Sequence, residues 1–249
     1  MTEAEVLEGE KDVEVGENQG DRWTFVAVLP ETSFVHTLHH GERTKEQAGL
    51  FIKELKCGSD GHAPFFTSDG WFYSDVLGEN YCTYVHPPYK GRGRRPRPVR
   101  VLDSGLRYAQ VCKKRDDKGK IVEITTRIVL GDEVQILDLL GDAGRSRTIN
   151  TSFVESRNGK MRKDDARLIR KTLCHSKKAV FHDAHADLLA QVTNYARTND
   201  ALKVLVNPAA ALFEQKYLHR TPAMAEGLID KILTIKELLF RRPKPIGIP

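Results

Sequence analysis

A mixed α/β sheet flanked by helices is the fold class that this sequence predicts, and three observations carry it. "WTFVAVLP" from Trp23 and "SFVHTLHH" from Ser33 are rich in β-branched and aromatic residues and are separated only by a short turn. In "RTKEQAGLFIKELK", which follows, Ala48, Phe51, Ile52 and Leu55 recur at the spacing of one helical face. "APFFTSD" and "YCTYVH" then supply two more short strands with a brief helix between them. Strand, strand, helix, strand, strand is the order of one mixed sheet.

The remaining elements divide the chain. Residues 1–21 are an irregular lead-in, crowded with Glu and Asp and opposed only by Lys11. The main domain is expected over residues 22–200, interrupted by an insertion over about 87–147. That insertion starts with a surface segment of Pro, Gly and Arg, followed by a β-hairpin in which "LRYAQVCKK" and "KIVEITTRIVLG" flank the turn "DDKG". The sheet proper is expected to end before it. Helices dominate from Thr151: one run over "FVESRNGKMRKDDARLIRK" and another from near Ser176 through "AHADLLAQVTNYA". Residues 201–249 read as a helical extension, with a helix-like "ALFEQKY" and a closing amphipathic helix in "RTPAMAEGLIDKILTIKELL".

Composition narrows the function classes. No run of about eighteen apolar residues exists, which excludes a membrane-spanning helix. The acidic start does not resemble a signal peptide, so a cytoplasmic protein is expected. Cys57, Cys82, Cys112 and Cys174 form no CxxC pair and read as reduced thiols. The net charge of +5 is modest but unevenly placed. "KGRGRRPRPVR" at residues 90–100 is almost wholly basic, and a second basic block runs from Arg157 to Lys178. Such concentration points to a polyanion, most simply a nucleic-acid backbone. Lys90, Arg92, Arg94, Arg95 and Arg97 would grip phosphates, with Arg97 to Arg100 and two prolines as a stiff strap. Lys163, Arg167, Arg170, Lys171, Lys177 and Lys178 would line a helix and its successor. The histidines at 36, 39, 40, 175, 182 and 185 lack metal-site spacing and read as polar groups.

Asp69 poses the functional question, because the apolar strand of "FFTSDGWFY" runs straight into an acid. Ser68 and Asp69 suit a helix cap before a short helix carrying Trp71, Tyr73 and Val76. The carboxyl end of a strand in an α/β sheet is equally where metal ligands and chemistry are placed. In "NTSFVESRNGKMR", Glu155, Asn158 and Arg162 stand at i, i+3 and i+7, on one helical face. Alone, that stripe is an exposed polar face. Paired with Asp69, Glu155 becomes half of a magnesium site, since that ion binds through a few carboxylates and substrate phosphates.

"GDRWTFVAVLPETSFVHTLHHGERT", "FTSDGWFY", "NTSFVESRNGKMR" and "ARLIRKTLCHSKK", in this order, resemble bacterial insertion-sequence transposases of the DDE type, in the group around insertion sequence 1. The likeness covers roughly residues 20 to 200, and the tail "RTPAMAEGL" also resembles endings in such proteins. It implies an RNase H-like fold in which the hairpin insertion precedes the last catalytic helix. It also implies cleavage and strand transfer of double-stranded DNA at transposon ends, with magnesium or manganese, by a homo-oligomer associated with the nucleoid. Asp69 matches the second family acid, Glu155 the third, and Arg162 the basic residue two turns beyond it. The first acid, normally in an Asp-Glu-x-Trp strand upstream, has no counterpart; Asp12 and Asp21 lie nearby but inside no apolar run. The expectation is therefore a shortened or degenerate copy, weakened in metal binding. The alternative is a transposase remnant that binds DNA or regulates an intact copy without cutting.

Overall fold

The computed structural model describes residues 22–70, 73–89, 91–142, 147–169, 173–174, 176–209 and 214–240. The acidic lead-in, Trp71, Lys90, Arg170, Lys171 and His175 lie outside them. The chain is mixed α/β, with helices and several small sheets.

Strands β1 (Trp23–Leu29) and β2 (Phe34–Gly41) form an antiparallel hairpin with a register irregularity at Ala27/Val28. Ser33 closes the turn at φ 58°, in the left-handed region. Helix α1 (Lys45–Cys57) begins where Thr44 accepts a hydrogen bond from the Gln47 amide at 3.3 Å. Its Ala48, Phe51, Ile52 and Leu55 are buried, the face that the spacing predicts. Phe51 stacks on Phe25 of β1 with ring centres 5.7 Å apart.

Strand β3 (Phe65–Ser68) precedes α2 (Tyr73–Asn80), whose Val76 and Leu77 join the same core with Tyr81, Leu106 and Tyr108. Strand β4 (Cys82–Val85) does not continue the sheet. It pairs with β5 (Val99–Leu102) in a separate two-stranded ribbon. The single mixed sheet predicted from the strand order is thus several small ones.

The hairpin of β6 (Arg107–Arg115) and β7 (Ile121–Leu130) forms as predicted, but not as an insertion outside the sheet. Strand β6 is the centre of a three-stranded mixed sheet, parallel to β3 and antiparallel to β7. The reason is visible in its burial: Tyr108, Ala109, Gln110 and Val111 are covered in succession, as in a strand packed on both faces. The charged run Lys113–Arg115 disguises this in the sequence.

Helix α3 (Glu133–Asp142), which the sequence reading lacks, buries Ile136 and Leu140 one turn apart. Helix α4 (Ser152–Asp164) stops earlier than the predicted run. Asp165 leaves the helix in extended conformation and its carboxylate accepts from the Arg167 amide at 2.9 Å, capping a short 3-10 turn at Ala166–Leu168. Helix α5 (Ala179–Tyr195) matches its prediction.

Two buried polar side chains fasten these helices to the first hairpin. The Asn194 amide clamps the backbone of Val35, accepting at 2.9 Å and donating at 2.8 Å, so it replaces missing ladder bonds. Arg157 of α4 donates to the Ser33 carbonyl at 2.5 Å.

The tail departs most from expectation. Tyr217 lies in β9 (Tyr217–Leu218), paired with β8 (Val204–Leu205), and residues 214–216 are not helical. The single closing helix is two, α6 (Pro222–Ala225) and α7 (Ile235–Phe240). Gly227, at φ 74°, ends the first: its amide donates to Met224 and that of Leu228 reaches back to Ala223, the hydrogen-bond pattern of a Schellman stop. Thr234 and Glu237 exchange side-chain and backbone hydrogen bonds to start the second, a capping box.

Candidate functional site

Asp69 follows the last residue of β3 and is exposed, yet the backbone that carries it rests on a chain of hydrogen bonds whose middle, at Tyr108 and Gln110, is buried. The Arg127 guanidinium on β7 donates to Gln110 at 2.8 Å, and the Gln110 amide donates to the Tyr108 hydroxyl at 3.0 Å. Ser68 gives its one proton to the Asp69 carbonyl at 2.7 Å. The proton between Tyr108 and Ser68, also 2.7 Å apart, must then belong to Tyr108. Burial pushes the Tyr108 phenol up, and the nearby Asp69 charge adds to it against the opposing hydrogen bonds, so the phenol stays a donor. Tyr73 is pushed up in the same way, by burial first and then by Asp69. Cys112 packs near Gly70, its sulfur 3.5 Å from where a β-carbon would stand, an ordinary contact.

Glu155 reaches the same part of the sheet from the other direction. Thr67 of β3 donates to the Asn150 carbonyl at 3.3 Å, which fixes the chain just before α4. Thr151, buried at the start of the helix, donates its hydroxyl to the Glu155 carboxylate at 2.5 Å and accepts the Glu155 amide at 3.0 Å. Glu155 occupies the first helical turn, where the dipole favours an anion. Its second partner is the Lys113 ammonium of β6, which both donates to and ion-pairs with the carboxylate. Partial burial works against the charge, but hydrogen bonds from Lys113 and Thr151 and the charges of Lys113 and Arg115 prevail. The carboxyl is held below its ordinary range.

Strand β6 links the two acids. Ser68 pairs with Gln110, so Asp69 comes level with Val111 and Lys113 lies two residues further, about 7 Å along the strand. The end of β3 and the first turn of α4 therefore converge on one short stretch of β6. Both acids are accessible, and the carboxylate of Glu155 is engaged by Lys113 and Thr151. Among the described residues no group of three His, Cys, Asp or Glu is placed to hold a metal, so a pair of ions lacks ligands. On β6 it is a lysine, Lys113, that stands against Glu155. Its pairing with the half-exposed Glu155 is worth only about 0.2–1 kcal/mol, little enough for a divalent ion to displace it.

On α4, Asn158 is half-buried, Arg162 and Lys163 are exposed, and Arg162 has no ion pair among the described residues. Arg167 is engaged by its own turn and by Ser176 at 3.4 Å, while Lys177 and Lys178 are exposed just before α5. Arg92, Arg94, Arg95 and Arg97 belong to a different sheet, on the exposed loop between β4 and β5. Lys113, Arg115 and the Tyr108–Gln110–Arg127 relay escape sequence reading, because their roles depend on β6 lying beside β3. Two histidines read as surface groups are also engaged: His185 contacts the buried Asp165 at 2.5 Å, and His182 is partly buried, which lowers its pKa.

Against known proteins, the chain matches no family model, and no curated protein or solved structure matches it.

Proposed function

We propose that this chain is a DNA-handling protein of the DDE transposase type, with an RNase H-like arrangement of β3, β6 and β7 beside α4. Its task is cleavage and transfer of DNA strands at the ends of an insertion sequence. The observation that supports this reading is that β3, which ends just before Asp69, and the first turn of α4, which carries Glu155, both meet strand β6. Asp69 and Glu155 would hold magnesium, or manganese in its place, and such an ion would supply Lewis acidity to a phosphodiester oxygen. Lys113, beside Glu155, would serve as a counter-charge to a phosphate. Asn158 and Arg162, along the same helical face, orient the DNA backbone, and Lys163, Lys177 and Lys178 extend the grip. Joining both ends of an element takes at least two copies of the chain.

A nicking assay on supercoiled DNA with magnesium or manganese tests it, comparing the wild type with Asp69→Asn and Glu155→Gln. Metal-dependent nicking that falls by about a hundredfold or more in either variant is the expected result. Equal nicking by all three, or none by any, removes the catalytic reading.

Lys113 favours a second reading, in which the chain holds DNA without cutting it. An ammonium on Glu155 neutralises the acid and suits a surface made for phosphate rather than for a cation. DNA binding that weakens steeply with salt but brings no metal-dependent nicking would select it. No helix among the described residues is long and apolar enough to cross a membrane.

A further inference from the structure

The β4–β5 ribbon carries a charge pattern that the acid pair does not use. From Cys82 to Leu102 the chain contains no Asp or Glu. The base of the ribbon is planted: Leu102 packs 3.3 Å from where a β-carbon on Gly78 of α2 would stand, and the Asp103 amide donates to the Tyr81 carbonyl at 3.0 Å. Beyond it, Tyr84, Val99 and Val101 are exposed, and the described residues of the loop, 86–89 and 91–98, have neither helix nor strand. Tyr89 braces that loop, donating its hydroxyl to the Gly93 carbonyl at 3.0 Å and facing the Arg95 guanidinium at 5.9 Å. Arg92, Arg94 and Arg97 form no ion pair among the described residues.

Two features go beyond a generic phosphate grip. Gly91 and Gly93 adopt φ of 75° and 87° with nothing within 4 Å of a would-be β-carbon, so they thin and turn the backbone without serving any packing need. Pro96 and Pro98 then alternate with Arg97 and hold the following segment out of helix. Apart from Lys90, the cations of this segment are arginines, planar and weakly hydrated, whereas the two that immediately precede α5, Lys177 and Lys178, are lysines. A thin chain that bends at its glycines and carries long planar cations matches the minor groove, which at about 6 Å is too narrow for a helix or ribbon. That groove is narrowest and most negative in A·T tracts, where it attracts inserted arginine.

We propose that the loop of the β4–β5 ribbon lies along the minor groove of duplex DNA and favours A·T-rich sequence. The proposal rests on the DNA-binding part of the reading above and is independent of the acid pair. The test is a fluorescence-anisotropy titration of the full chain with A·T-rich and G·C-rich duplexes of equal length at one salt concentration. Netropsin serves as a minor-groove competitor, and a double-stranded RNA of the same length is a further arm. Binding roughly tenfold tighter to the A·T-rich duplex is expected, with displacement by netropsin. Replacing Arg94, Arg95 and Arg97 together by Lys keeps the charge, and should abolish the preference while leaving G·C-rich binding within about twofold. Asp69→Asn should leave the preference unchanged.

Equal affinity for the two duplexes, a preference that survives the lysine replacements, resistance to netropsin, or tighter binding to RNA would each overturn the proposal. An A·T preference persisting in a chain that never nicks DNA keeps the arm and discards only the catalysis. Nicking without the preference does the reverse.

Discussion

The two acids of the site are secured in opposite ways. Behind Asp69 stands a relay of Arg127, Gln110, Tyr108 and Ser68, buried at Gln110 and Tyr108, which fixes the backbone and leaves the carboxylate exposed. Glu155 is held directly on its carboxylate, by a buried threonine and by a partly exposed lysine. One acid is positioned by the interior; the other is tuned by the surface. Substitutions behind Asp69 should therefore cost stability, and those around Glu155 should mainly change charge.

Tyr108→Phe breaks the relay and should have the largest effect. It takes away the acceptor for Gln110 and the donor to Ser68 in a place water does not reach, a loss of about 1–3 kcal/mol. Urea denaturation would read this as a lower midpoint with an unchanged slope. The pH dependence carries a second signature. Because the folded Tyr108 phenol lies above its usual value, its contribution is complete below about pH 10 and is lost as pH rises through the raised value. The phenylalanine variant should lack that part of the alkaline decline. An unshifted midpoint would mean that Asp69 is not held from behind.

Thr151→Val should fall between the two extremes. The replacement keeps the shape and removes the donor to Glu155, for about 0.5–1.5 kcal/mol. Since Thr151 is buried while Glu155 is half-exposed, part of that loss returns as water reaches the carboxylate.

Local chemistry was legible, and distant pairing was not. The hairpin of β1 and β2, the buried face of α1, the end of β3 and the helix bearing Glu155 follow from spacing and caps within a few residues. Asp69 could be singled out because it stands at a strand end, and Glu155 because it shares a helical face with Asn158 and Arg162. What the sequence withheld was β6, whose partner β3 lies some forty residues earlier and whose charged end looks like a surface hairpin. Without that pairing, Lys113 is one cation among many. The tail failed for a different reason: the stop at Gly227 and the start at Thr234–Glu237 are written in the sequence, but continuous Leu and Ile spacing hides them. Asn194 gave no local signal at all, since its use is a backbone edge at Val35.

Lys113→Met should have the smallest effect on stability and the most informative one on the site. Exposed ion pairs are worth about 0.2–1 kcal/mol, so the denaturation midpoint should scarcely move. The Glu155 carboxyl, however, loses its main hydrogen-bonding cation and should rise toward its ordinary value, which NMR titration of the side chain would follow. With the pKa held down, Glu155 stabilises the fold above about pH 4.3 and loses that contribution as pH falls through the lowered value. In the methionine variant this acid-side loss should shrink. Manganese binding, read from paramagnetic broadening near Glu155, should strengthen because no ammonium competes for the carboxylate. Weaker manganese binding in the variant would mean that Lys113 orients Glu155 for the cation rather than excluding it, and the contrast between the two acids would then be one of position alone.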